Sequence, residues 1–223
     1  MRVAVVTVGD ESLAGDTVNT NATWLCEQLT DRGVTVDRIT TVPDVVDDIA
    51  RVVNEYHAEH DAVIVTGGLG PTHDDVSMEG IAAAVGRPVE PHTAAQEWLT
   101  TEKGYAADDL ADGTTALPRC ARMLPNEVGV APGAVVEGIY AFPGVPAEMQ
   151  AMFESVAAEF SGEQTVTETV AIDEYESELI DRIADLREQF AVTVGSYPGE
   201  CVRVKLTSTD PEAVAAARRW LTA

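Results

Sequence analysis

A chain of 223 residues is long enough for one core of ordinary size, or for a larger domain carrying a smaller one. Its hydrophobic fraction of 45% marks a globular protein, and no apolar run approaches the roughly 20 residues needed to span a bilayer. Thirty-eight acids against 14 Lys plus Arg give a formal net charge of −24, a field that repels nucleic acid and anionic membranes, so neither is expected as a partner.

The acids are dispersed along the chain, and Lys103 and Lys205 are the only lysines. Such a surface stays hydrated in concentrated salt, where self-repulsion is screened, and a halophilic protein is the expectation. Any single Asp or Glu is therefore more often solvation than chemistry. The start "MRVAVVTVGDE" turns acidic too quickly for a signal peptide, so a cytoplasmic location is expected. Cys26, Cys120 and Cys201 lack metal spacing, and Cys26 falls on a helical apolar stripe, which favours buried thiols.

The first predicted strand is the apolar run at 3–8, followed by a helix on whose face Ala22, Leu25, Cys26 and Leu29 recur. "GVTVDRITTV" reads as a second strand. After Pro43-Asp44 a second helix carries Val45, Ile49, Val52, Val53 and Tyr56, and "AVIV" at 62–65 is a third strand. This β-α-β-α-β alternation implies a parallel sheet with right-handed crossovers. Helices are predicted at 77–85 and 92–103, the polar stretch 104–118 has no clear period, and "AVVEGIYAF" at 134–142 reads as one continuous strand. A helix after Pro146 carries Val145, Met149, Met152, Phe153, Val156 and Phe160. Beyond a short linker at 161–164 the period changes. "TVTETVAI" and "CVRVKLT" alternate as strands with one wet face, and helices follow around Leu179–Phe190 and after Asp210-Pro211. The division expected is a domain over 1–162 and a small α+β domain over 163–223.

Four loops are candidates for chemistry. "TGGLGPTHDD" (66–75) leaves a parallel strand and enters a helix, placing bare backbone N–H groups where helix dipole and unpaired donors favour an anion. It matches neither G-x-G-x-x-G nor G-x-x-x-x-G-K-[ST]. It also has no lysine, so phosphate charge would be met by backbone donors of Thr66, Gly67, Gly68, Gly70 and Thr72 in the turn that Pro71 shapes, or by Mg²⁺ or another divalent cation on Asp74 and Asp75. A tight turn capped by one of these acids is the alternative. His73 lies in this loop, either idle or within reach of a phosphate, while His57, His60 and His92 show no ligand spacing. "GDESLAGDTVNTNA" (9–22) sets Gly9, Asp10 and Glu11 at the carboxyl end of the first strand, where open α/β sheets bind ligands, with Asn19 and Asn21 as ligand contacts or helix caps. "LPNEVGVAPG" (124–133) and "FPGVPAEM" (142–149) flank the strand at 134–142 at its two ends, and each taken singly is accounted for by a rigid turn.

In this order the four motifs closely resemble the molybdopterin-binding domain shared by MoaB, Mog, MoeA and gephyrin, and most nearly its CinA-like branch. The likeness covers about residues 1–160. The remainder, with "YESEL" and "GSYP", is similar to the small domain that follows in CinA-type proteins. The resemblance implies a three-layer α/β/α domain with a mostly parallel sheet, assembled as a homo-oligomer, trimer or dimer. It implies a phosphate-bearing small-molecule ligand, molybdopterin or an adenine nucleotide, held by the glycine-rich loop together with Asn126, Gly129, Ala131, Pro132 and Gly133 of the third motif and Pro143, Gly144, Pro146 and Glu148 of the fourth. The two acids that support Mg-ATP-dependent adenylylation in Mog-like relatives match Asp44 and Asp75. CinA-like relatives are associated instead with metal-dependent hydrolysis of ADP-ribose, and longer CinA proteins add an amidase domain; with the chain ending at Ala223, amidase activity is not expected. Ser12, Glu127 and Val130 stand where this branch usually has Leu, Pro and Thr, and Ser77 replaces a frequent Thr.

Overall fold

The computed structural model describes residues 1–70, 75–106, 108, 110–111 and 113–222. The chain divides into two compact units, Met1–Gly162 and Glu163–Ala223.

The first unit is organised by strands whose residues are covered on both faces. In β1 (Arg2–Val8), β3 (Ala62–Thr66) and β8 (Ile139–Phe142) every residue but Arg2 is buried, which is why they read as unbroken apolar runs. With β2 (Thr35–Val42), β6 (Arg122–Leu124) and β7 (Gly133–Val136) they form a sheet of order β2-β1-β3-β8-β7-β6. The pairs β1·β2, β1·β3 and β3·β8 are parallel, and β7·β8 and β6·β7 antiparallel. One face packs Val6, Val63 and Val65 against Ile49 and Val53 of α3 (Val46–Glu59) and Ile81 of α4 (Ser77–Ala84). The other packs Val5 and Ile64 against Leu25 and Leu29 of α2 (Thr20–Asp31) and Phe153 of α6 (Pro146–Val156). These are the three layers that the family resemblance implies.

Several expectations are corrected. The segment at 134–142 is not one strand but a hairpin: Val136 pairs with Ile139 across a two-residue turn in which Glu137 (φ 49°) and Gly138 (φ 80°) are both left-handed. That backbone matches the twist of the flanking strands, and Glu-Gly lacks the Asn or Asp that usually signals it. The helix expected at 92–103 is α5 (Thr93–Glu97) followed by a π-helical turn, Trp98–Glu102, where the Thr100 hydroxyl donates to the Gln96 carbonyl at 2.8 Å and competes with the α ladder. Short elements without a detectable period also appear: α1 (Asp10–Ala14), β4 (Val89–Pro91) and its antiparallel partner β5 (Ala116–Pro118). The thiols are not buried as expected. Cys120 is exposed in a turn at φ 67°, and Cys26 and Cys201 are half-buried.

The second unit is a three-stranded antiparallel sheet of order β10-β11-β9 (Thr193–Tyr197, Val202–Ser208, Val166–Ile172) with α7 (Glu176–Gln189) and α8 (Pro211–Leu221). Val170, Val204 and Leu206 on its dry face meet Leu179, Leu186 and Val214. Asp210 caps α8 by accepting from the Glu212 N–H at 2.8 Å.

Replacing Gly138 by Ala puts a Cβ where φ is +80°. The expected cost is about 1–2 kcal/mol, read as a lower urea midpoint with an unchanged slope.

Candidate functional site

The double burial of the central strands brings their carboxyl ends to one edge, at Val8, Thr66 and Phe142, with Val42 of β2 beside Val8. The loops continue the ladder one residue further. Gly9 donates its N–H to the Val42 carbonyl at 3.2 Å, and Gly67 donates to the Phe142 carbonyl at 3.1 Å. Gly67 has φ 104°, and a Cβ there would run into the Val8 carbonyl, so only glycine fits where the two loops cross. The buried Ser77 closes the loop onto α4: its hydroxyl donates to the Gly67 carbonyl at 2.7 Å and its N–H to the Gly68 carbonyl at 3.1 Å. The Ser at this position thus supplies the hydroxyl that Thr would.

These loops enclose a cavity of about 690 Å³, within the usual range for small-molecule sites. Its wall holds Gly9 and Glu11 after β1, Asp44 after β2, and Gly67, Gly68, Leu69, Gly70 and Asp75 after β3. Gly129, Val130 and Ala131 come from the turn before β7, and Pro143, Gly144, Val145 and Glu148 from the passage into α6. The hairpin makes this possible, because as one extended strand 134–142 would hold its two flanking loops about 27 Å apart. An adjoining cavity of about 420 Å³ shares Gly68, Gly70 and Asp75 and adds Pro132.

Other expected residues stand behind the wall. Asn19 caps α2, its Oδ1 accepting from the Ala22 N–H at 3.0 Å while Nδ2 donates to Thr7 Oγ1 at 2.8 Å. Asn21 is buried; its Nδ2 donates to the Gly144 carbonyl at 2.7 Å and to Thr66 Oγ1 at 3.4 Å, and Thr66 donates to the Pro143 carbonyl at 2.9 Å. Together they tie the β8–α6 loop to the end of β3. Asn21 Oδ1 is buried with no hydrogen-bond partner among the described residues. Asn126, fully buried, joins the 129–131 turn to Glu148. Gly133 starts β7, Pro146 starts α6, and Asp10 acts through its backbone, donating its N–H to Asp44 Oδ2 at 2.9 Å. Pro71, Thr72, His73 and Asp74 lie outside the described residues. His60 bonds Asp37 and the Tyr56 carbonyl, and His92 caps α5, so both are structural. Sequence reasoning missed Tyr105, Leu110, Ala111 and Thr114, which complete the wall from the polar segment without a period; only that segment's lack of an obvious core role marked it.

The electrostatics are one-sided. Glu11, Asp44, Asp75 and Glu148 face the cavity, and no Lys, Arg or His is among its described lining residues. Burial pushes the Asp44 carboxyl above the ordinary aspartate range, the Asp10 N–H works against that, and the charges of Asp10, Glu11 and Asp75 push it further up. Among the described residues no three His, Cys, Asp or Glu side chains form a ready metal cluster.

Fold and site together define an α/β domain with a glycine-lined, acidic cavity at the carboxyl edge of its sheet. Residues 4–161 match the family described as "Probable molybdopterin binding domain", and the chain belongs to that family, in its CinA-like branch. A protein of Archaeoglobus fulgidus is 38% identical over 216 residues, 96% of this chain and 93% of that one, so the kinship runs through both units. A CinA-like protein of Citrifermentans bemidjiense is 41% identical over 170 residues, 73% of this chain but 41% of its own length. The crystal structure of CinA, of unknown function, from Thermoplasma acidophilum shares 34% identity with a TM-score of 0.66 over 71% of this chain and 97% of that one. Among the described residues no helix is long and apolar enough to cross a membrane.

Because the native pKa of Asp44 is raised, the folded state binds its proton more readily than the unfolded state. Stability is therefore lost as pH rises through that native value, and the ionised group is a cost at neutral pH. Asp44→Asn keeps the acceptor for the Asp10 N–H. It is expected to raise Tm at pH 7, with the gain shrinking as pH falls toward the ordinary aspartate range near 3.9; thermal melts across that range check it.

Proposed function

We propose that the protein binds a phosphate-bearing pterin or nucleotide, accompanied by a divalent cation, in molybdenum-cofactor assembly or related nucleotide metabolism. The observation that carries this reading is the composition of one cavity wall: bare glycine backbone at 67–70 beside Asp44 and Asp75, with no basic side chain among the described lining residues. Backbone donors at such an edge favour an oxyanion, yet a phosphate facing four carboxylates needs its charge offset. A magnesium-like ion fits this donor set, since it takes only one or two protein carboxylates and keeps the rest of its shell for water and phosphate oxygens. Asp75 and Asp44 are the residues that would hold it. When bound, it would supply charge neutralisation at a phosphoanhydride. Val130, where relatives usually carry Thr, leaves the 129–131 turn to act through its backbone.

A second reading, hydrolysis of the pyrophosphate of ADP-ribose, is favoured by the raised pKa of Asp44, a carboxylate poised to take a proton from water beside the phosphate cradle. Water would add to one phosphorus and the bridging oxygen would leave with the other, giving AMP and ribose 5-phosphate.

Incubation in high salt with Mg²⁺ or Co²⁺, separately with ADP-ribose and with molybdopterin plus ATP, distinguishes the readings. AMP released from ADP-ribose alone identifies the hydrolase, and adenylylated pterin identifies cofactor assembly. Heat of binding without turnover in either leaves a binding protein. No binding of either ligand with any ion overturns the proposal. In the turnover assay Asp75→Asn is expected to reduce the rate at least about 100-fold with the fold intact.

A further inference from the structure

The wall of the cavity contains one carboxylate whose orientation is set by a buried amide. Asn126 is fully buried, and its polar atoms are engaged by its own turn and by Glu148 of another element. Nδ2 donates to the Ala131 carbonyl at 2.9 Å and to Glu148 Oε2 at 2.7 Å, and Oδ1 accepts from the Gly129 N–H at 2.7 Å. Both N–H groups are thus committed, one of them to a charged partner. A turn alone could have been closed by the bonds to Ala131 and Gly129. The Glu148 carboxyl lies directly over Gly129, where a Cβ would overlap it. Glu148 sits in the first turn of α6, so the end of that helix and the 126–131 turn jointly hold it on the cavity wall.

A neutral amide orients a carboxylate without cancelling its charge, and no basic side chain stands among the described lining residues. We propose that Asn126 is a positioning residue that occupies Oε2 of Glu148, so that Oε1 accepts a hydrogen bond from a donor on the bound ligand: a ribose hydroxyl, or a ring N–H of a pterin. The inference rests on the reading of this cavity as a phosphate-ligand site. The glycine-rich loop holds the anionic end, and Glu148 reads the uncharged end by its donors, which gives the ligand one orientation.

Two conservative variants test this without emptying the core. In Glu148→Gln the new amide must turn its oxygen to the Asn126 donor, leaving its NH₂ opposed to the ligand's own donor. In Asn126→Asp two carboxylates compete at 2.7 Å spacing, and the pair is satisfied only when it holds a proton. Calorimetry with ADP-ribose and with 6-hydroxymethylpterin pyrophosphate, in Mg²⁺ and in EDTA, at pH 6 and pH 8, reads both. The expected result is at least about tenfold weaker binding by E148Q in Mg²⁺, and in EDTA to the extent that the wild type still binds there. The ligand that loses affinity identifies the donor as ribose hydroxyl or pterin N–H. N126D is expected to bind near the wild-type level at pH 6 and to weaken at pH 8, while the wild type changes little. A merely structural asparagine would not produce that pH profile. If the wild type binds and E148Q binds equally, the inference fails and the reading of the cavity stands. If the wild type still binds in EDTA and the deficit vanishes there, Glu148 acts through the cation and the donor assignment is overturned. If N126D matches the wild type at both pH values, the positioning role is overturned. If the wild type binds neither ligand, the reading of the cavity falls and this inference with it.

Discussion

Covering β1, β3 and β8 on both faces is the constraint from which the site follows. Strands buried above and below by α3 and α4 on one side and by α2 and α6 on the other have no freedom to stagger their ends. Their carboxyl termini therefore meet at one edge, and the chain leaving each must turn there. The turns are crowded enough that the loop after β3 crosses the loop after β1 with no room for a side chain at Gly67. A glycine-lined cavity wall at the edge of a parallel sheet is the consequence of that crowding, and it is where the proposed phosphate would sit.

The same edge collects negative charge, in a protein whose net charge is already −24. Glu11 in α1, Asp44 after β2, Asp75 after β3 and Glu148 in the first turn of α6 come from four separate stretches of the chain, so no single local cluster gathers them. Elsewhere the acids are paired or exposed in ordinary ways: Asp37, held by Arg2 and His60, has its carboxyl pulled down to about 2. Asp44 moves in the opposite direction because burial and like charges surround it. A carboxyl raised by burial beside a glycine-lined cavity is what makes Asp44 a candidate for the proposed chemistry.

Legibility followed the physics of each element. Helices α2, α3 and α6 were readable because each has one long apolar stripe against the sheet, and β1 and β3 because double burial leaves no polar position. The hairpin β7–β8 was not readable, since Glu137-Gly138 interrupts the apolar run by only two residues and carries no Asn or Asp. That single misreading had consequences for the site. It set the 124–133 and 142–149 loops at opposite ends of a strand, whereas the fold-back brings Gly129 against Glu148. Tyr105 and Thr114 were equally hidden, because a wall segment without periodicity looks like any surface loop.

The amino-acid sequence by itself determined the helical stripes, the alternation that makes the sheet parallel, and the glycine-rich turn after β3, because each of these is written in local periodicity or in residues with special backbone freedom. Only the tertiary structure decided which carboxylates share a cavity, that Asn21 and Asn126 support its wall from behind, and that burial and neighbouring charges raise the Asp44 carboxyl, a residue the sequence singled out only through the family resemblance. Those outcomes depend on distance through space between residues far apart in the chain, and on the burial that raises a carboxyl pKa. Neither quantity exists until the strands have been stacked side by side and covered.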